Sequence, residues 1–394
     1  MPVQPSNWST TNYPNGTNLD VILGNLGSAP TRLDVSVALH SLTFQDGGGL
    51  TMSLAGPGTS INAVNFFFAE DGSITRSDCC GTTILFLNGG TMEKTAGANL
   101  FTIDPNIPLY STNGTLAADS GTLALSGANS YYTNGGFAVA SNATIILAPN
   151  NHDVNFAGTF TGTGSGTVLL SAGNLNAAAG GVNFNLPAPL FQWTGGSLVG
   201  NNPLTNSGTL QISGTNSSRL VATLNNAGVV RHTGSGALAF SRAGNGARFE
   251  NFAAGTYSLE SDATLSIIDC CGAVTFDNFG LFRKSGGTSN SIVSPVFNNL
   301  GGTVSVETGT LTLANSGSSS NGTFNVSAGA TLDITGGAQP TWAGALTGSG
   351  AGTVLLGNGT LFGSGATLNF VNGMFQWAGG SLQGTFTNAG TLSI

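Results

Sequence analysis

The residues best equipped for chemistry are four cysteines, which come as two adjacent pairs, Cys79-Cys80 and Cys270-Cys271. Each pair lies in an Asp-Cys-Cys-Gly tetrapeptide, Asp78 to Gly81 and Asp269 to Gly272. Adjacent cysteines admit two readings. They can close a vicinal disulfide, which suits an oxidising exterior, or one can face a core as a small hydrophobe while the other faces out. The pairs lie 191 residues apart. In the coiled chain argued below that is roughly 40 Å, whereas a disulfide needs Cα atoms within about 7 Å. The pairs therefore neither bridge each other nor share a metal.

Carboxylates are the next candidates. Paired aspartates would suit glycoside hydrolysis, and calcium-binding carboxylates beside a base would suit a polysaccharide lyase. The only adjacent acidic pair is Glu70-Asp71. The densest acidic stretch holds Glu250, Glu260, Asp262, Asp269 and Asp277, flanked by Arg248 and Arg283. Scattered polar positions on outer strands and turns account for it more simply than a catalytic cluster. The histidines, His40, His152 and His232, lie too far apart for a local metal motif. Gly162-Thr163-Gly164-Ser165-Gly166 lacks the lysine and helix of a phosphate loop. No catalytic, cofactor or metal residues are assigned.

Trp193 and Trp377 are candidate glycan contacts, since aromatic rings exposed in a row make sugar-stacking platforms. They sit in a repeated octapeptide, Phe191-Gln192-Trp193-Thr194-Gly195-Gly196-Ser197-Leu198 and Phe375-Gln376-Trp377-Ala378-Gly379-Gly380-Ser381-Leu382. Each Trp shares a strand face with the Phe two residues before it, so filling a core is an equal reading.

The elements that would position these residues are legible as repeats. A unit small–Thr–apolar–x–apolar begins at Gly121, Ala143, Gly166 and Gly208, spaced 22, 23 and 42 residues. It returns at Gly309, Ala330, Gly352 and Gly390, spaced 21, 22 and 38. Its alternation is that of a strand. A second unit, Leu/Phe–x–Asn, starts at Leu204, Leu224, Phe249, Phe276 and Phe297, in steps of 20, 25, 27 and 21. Such steps fit one coil of a parallel β-helix. The asparagines of this unit, Asn206, Asn226, Asn251, Asn278 and Asn299, predict a structural amide ladder at a turn, where Asn tolerates unusual backbone angles.

The predicted fold is all-β: a parallel β-solenoid with coils of 20–27 residues. At roughly 4.8 Å per coil it would make a single elongated rod of roughly 85 Å. The expected divisions are a capping segment over 1–60, a partial super-repeat over 61–190, a complete one over 191–374, and the start of another over 375–394. The chain ends within a super-repeat with no polar cap, so it is expected to continue into further repeats.

Composition agrees with stacking. Gly accounts for 61 of 394 residues and charged residues for 7%, against roughly 25% charged in ordinary domains. A charge repeated at one coil position would face itself across roughly 4.8 Å, which favours Thr, Ser and Asn outside. The net charge of −8 and scattered bases exclude a nucleic-acid footprint. No apolar run reaches the length of a membrane span, and the first residues lack the regions of a signal peptide.

Stretches such as Phe297-Asn298-Asn299-Leu300-Gly301-Gly302-Thr303-Val304-Ser305-Val306, Gly309 to Leu313 and Ala328 to Ile334 resemble those of bacterial secreted and cell-surface β-strand-repeat proteins. These include autotransporter passenger domains and filamentous-haemagglutinin-like β-helix adhesins. The resemblance implies a right-handed β-helix, export, and surface display or adhesion, with glycans or other surface proteins as partners. The expected function is a non-catalytic structural or adhesive rod. Polysaccharide binding or cleavage on the same scaffold is the alternative. Ice binding is a third reading, disfavoured because the second outward Thr of the strand unit is not kept.

Overall fold

The computed structural model describes residues 14–24, 31–33, 35–45, 50–52, 59–76, 83–149, 151–371 and 373–394. These residues form strands and turns without a helix, so no helix among them could cross a membrane. The chain divides into two compact units, at Gln192/Trp193. Each is a parallel β-solenoid.

In the second unit a coil is built from three short strands, one on each of three parallel sheets. The first sheet stacks Leu204–Asn206, Thr223–Asn226, Arg248–Asn251, Thr275–Asn278 and Val296–Leu300. The second stacks Thr209–Ile212, Val229–His232, Thr256–Leu259, Leu281–Lys284 and Thr303–Val306. The third stacks Ser218–Leu220, Leu238–Ser241, Leu265–Ile268, Asn290–Val293, Thr310–Leu313 and Thr331–Asp333. Partners in register run from Leu204↔Leu224 to Phe249↔Phe276 in their spacing, so the Leu/Phe–x–Asn steps of the sequence are the coil lengths themselves.

Strand alternation sends one set of side chains inward, where like stacks on like. Phe249 and Phe276 stack at 4.5 Å between ring centroids, and Phe276 and Phe297 follow at 5.4 Å. Tyr257 and Phe282 stack at 5.2 Å on the second sheet and meet the first column edge-on. Offset and edge-to-face contacts of this kind add to the burial of the rings.

Elsewhere two neighbouring sheets merge into one long bent strand per coil. In the first unit these are Leu109–Ala118, Ser130–Val139, Asp153–Gly164 and Asn174–Asn185, each followed by a short strand such as Thr122–Leu125, Thr144–Leu147 or Thr167–Leu170. Thr341–Ser349 and Thr360–Phe370 repeat this form in the second unit. The bend is made the same way in both. Asn134, at φ 49°, accepts a hydrogen bond on Oδ1 from the amide of Thr159 (2.9 Å), and Asn321, at φ 53°, accepts from Ala345 (3.0 Å). Gly158 and Gly344 lie against these amides at φ 80° and 67°. A Cβ there would sit 2.1 or 2.3 Å from the Asn oxygen, so both the backbone and the contact require glycine. The described part of the expected capping segment is already coiled: Val37–Phe44 pairs in parallel with both Gly16–Leu23 and Thr59–Phe68.

Candidate functional site

The five ladder asparagines come together inside the second unit, at the corner between the first two sheets. Each is the second inward residue of its first-sheet strand, two positions after Leu or Phe. Asn206, Asn226, Asn251 and Asn278 each donate from Nδ2 to Oδ1 of the next rung at 2.8, 2.8, 2.8 and 2.9 Å. Their second amide hydrogen goes to the carbonyls of Val229, Thr256, Leu281 and Thr303 at 3.0–3.2 Å. Left-handed backbone is not the reason for Asn here, because none of the five has positive φ. An amide is chosen because it carries a donor and an acceptor that repeat with the coil. The ladder stops at Asn299, whose buried Nδ2 has no partner. Ser319 occupies the next rung and is too short, and a cavity about the size of one water lies between Asn299, Ser319, Phe324 and Trp342.

Two lysines are buried, which the sequence reading did not anticipate. Lys284 is fully enclosed; its Nζ donates to Asp262 Oδ1 (2.9 Å), Gly286 O (2.9 Å), Ser261 O (3.1 Å) and Ser291 Oγ (3.1 Å). Lys94 repeats this in the first unit, donating to Asp71 Oδ1 (2.8 Å), Ala96 O (2.5 Å) and Gly97 O (3.1 Å). Each ammonium fills a polar corner and holds the turn of one coil to the next. The hydrogen bond from Lys284 keeps the Asp262 carboxyl below its usual range, and the one from Lys94 does the same for Asp71. The adjacent bases Arg283-Lys284 are thus split by strand alternation, one out and one in. Gly90 to Gly97 and Gly280 to Gly287 are similar segments that place the two lysines alike, but neither names the carboxylate that each lysine meets.

His232 is likewise structural. It is buried, with Nδ1 2.8 Å from the Tyr257 hydroxyl and Nε2 2.8 Å from the Gly236 carbonyl. A neutral ring donates from Nε2 to the carbonyl and accepts the hydroxyl hydrogen on Nδ1. Burial lowers its pKa to about 4. The unfolded chain therefore binds a proton between about pH 6.5 and pH 4 that the folded chain excludes, so stability falls as the pH falls through that window. The full effect is about 3 kcal/mol. Denaturant unfolding at pH 7 and pH 4.5 should show a loss that shrinks in His232→Gln. An equal loss in both proteins would remove His232 as its source.

The five candidate acids do not converge. Glu250 and Asp277 neighbour each other in register on the outer face of the first sheet. Arg248 reaches both, at 3.3 Å to Glu250 and 2.7 Å to Asp277. Glu260 accepts both ends of the Arg231 guanidinium, at 2.9 and 2.6 Å, following the second sheet. Asp262 belongs to Lys284. Asp269, after the third sheet, accepts from Ser241 Oγ at 2.6 Å and Arg219 at 2.5 Å. Arg283 faces Glu307 at 3.8 Å. Among the described residues, no group of three or more His, Cys, Asp or Glu is placed to hold a metal.

Two expectations are corrected here. Trp193 is fully buried in the core, so it offers no platform to a glycan. The Phe beside it on the same inward face is the physical reason. Trp377 is half-buried and donates from Nε1 to Gly380 O at 3.3 Å. The expectation for Cys270 and Cys271 fails in both its forms: the two thiols are free and exposed, with Sγ atoms 2.7 Å apart, so neither faces the core and no vicinal disulfide joins them. They sit on a tight loop whose Asp269 and Cys271 have φ of 63° and 92°. Cys79 and Cys80 lie outside the described residues.

Parallel coils, stacked apolar columns and an internal amide ladder define a β-solenoid repeat protein. No protein-family model, curated protein or solved structure matches the chain.

Proposed function

We propose that this chain is a non-catalytic structural and adhesive β-solenoid, secreted or displayed at a cell surface, like the bacterial autotransporter passengers and filamentous-haemagglutinin-like adhesins its repeats resemble. The observation that carries the reading is the state of the acids. Each candidate carboxylate is paired with a base, Glu250 and Asp277 sharing Arg248, and together they are spread over three sheets. The outer rows are mostly neutral side chains repeated at the coil spacing, as in Asn298, Ser318 and Thr341. Such faces suit display and contact with glycans or surface proteins.

One observation favours a second reading, polysaccharide cleavage. Glu250 and Asp277 are adjacent carboxylates on one outer face with Arg248 between them. A glycan-array screen, with the same polysaccharides assayed for new reducing or unsaturated ends, separates the two. Binding without cleavage is the expected result. New chain ends that vanish in Asp277→Asn would make the protein an enzyme. Surface labelling of intact producing cells should find the chain outside, and labelling only after lysis would remove the display half of the reading.

A further inference from the structure

One outer row of the first unit departs from the neutral polar pattern. In register from coil to coil it reads Asn62, Phe86, Tyr110, Tyr131, Asn155 and Asn176. Three consecutive coils thus turn an aromatic ring outward. Phe86 and Tyr110 lie 5.7 Å apart between ring centroids, and Tyr110 is 40% exposed. The outer row of the second unit's first sheet holds Thr205, Asn225, Glu250, Asp277, Asn298, Ser318 and Thr341 before a single ring, Phe362, so it has no run of aromatic residues. Folding does not call for these side chains. The core columns are filled from the other strand face, where Leu85, Leu87, Leu109 and Tyr132 are buried.

What flanks the rings is mostly polar and uncharged, with Ile84 as an apolar neighbour in the row before them. Asn155 accepts from Asn176 Nδ2 at 2.7 Å, and Asp153 accepts from Asn174 Nδ2 at 2.7 Å one row over. Thr112 and Thr133 lie in register on the other side. The strip thus offers ring faces bordered by amides, hydroxyls and a single carboxylate. It carries no Lys or Arg among the described residues of these rows.

We propose that this strip binds a neutral polysaccharide, running along the direction in which the coils stack. The proposal rests on the adhesive reading and gives it a site. A pyranose presents an apolar C–H face and a rim of hydroxyls. The electron-rich faces of Phe86, Tyr110 and Tyr131 complement the former, and the amide, hydroxyl and carboxylate rows complement the latter. The coil repeat of roughly 4.8 Å is close to the length of one sugar in a β-linked chain, so successive rings meet successive sugars. Single-stranded nucleic acid also stacks on aromatic rows, but its binding needs a basic groove beside them. With one carboxylate and no base, the charge of this face fits an uncharged polymer and opposes an anionic one.

The test is affinity electrophoresis of the full chain through gels containing hydroxyethylcellulose, galactomannan or laminarin, with polygalacturonate and single-stranded DNA as anionic comparisons. At least one neutral polymer is expected to retard the protein and the anionic ones to leave it unchanged. Tyr110→Ala with Tyr131→Ala should weaken that retardation by about ten-fold or more. Tyr110→Phe with Tyr131→Phe should keep most of it, and because both side chains face outward the unfolding midpoint should not move. Retardation by no neutral polymer, retardation by the anionic ones alone, or full retardation of the alanine variant would each overturn the proposal. Glycan-array binding that survives in the alanine variant would overturn this site while leaving the adhesive reading standing, so the two failures are distinguishable.

Discussion

Replacing Asp262 by alanine is expected to destabilise the second unit by about 3–5 kcal/mol, the range for a buried charge that loses its counter-ion. The cost falls on the partner. Lys284 is fully enclosed, whereas Asp262 is 38% exposed. Without the carboxylate the ammonium keeps only neutral acceptors, the carbonyls of Ser261 and Gly286 and the hydroxyl of Ser291. The amide of Ser289 also loses its bond to Asp262 Oδ1 at 3.0 Å. Lys284→Met removes the charge instead of stranding it, and Asp262 stays hydrated. That variant should lose only about 1–2 kcal/mol, mainly from carbonyls left without a donor. Because Lys284 holds the Asp262 carboxyl below its usual range, the stability it contributes is present above the ordinary carboxylate pKa and is lost as the pH falls through the lowered one. Hydrogen exchange over 256–293 in both variants is the measurement, since long repeat arrays need not unfold in one step. Equal losses in the two variants would mean that the lysine acts as packing and its charge is incidental.

This pair also marks where sequence reading stops. The Thr-led unit and the Leu/Phe–x–Asn unit were legible because each is a local pattern repeated at the coil length, and stacking like on like needs nothing more. Lys284 and Asp262 meet across 22 residues, and His232 meets Tyr257 across 25. Coil lengths vary from 20 to 27 residues in the same array, so a partner one coil away has no fixed offset. Neighbouring residues of one type hide the second problem. In Tyr131-Tyr132 one ring faces out and the other is buried, and only the register decides which. Trp193 was ambiguous for the same reason. Its strand face was readable from Phe191, but which face met the core was not, until the coils were stacked.

The amide ladder gives the second large effect, and it depends on position along the ladder. Asn251→Leu keeps the branched shape of the side chain but breaks the ladder at its centre. Asn226 Nδ2 loses an acceptor, Asn278 Oδ1 loses its donor, and the Leu281 carbonyl loses a second one. Each buried polar group left unpaired costs about 1–3 kcal/mol, so the expected loss is about 3–5 kcal/mol. Asn206→Leu acts at an end. The Asn206 Oδ1 is already unpaired, and only Asn226 Oδ1 and the Val229 carbonyl lose a donor, so roughly half the loss is expected. Replacing all five asparagines with leucine removes the polar groups together with their needs, and should cost less per rung than the central substitution alone. Local hydrogen exchange over 223–226, 248–251 and 275–278 would resolve the gradient. Equal losses at centre and end would show that the rungs act independently, and the ladder would then be four separate side-chain bonds to the backbone of the following coil.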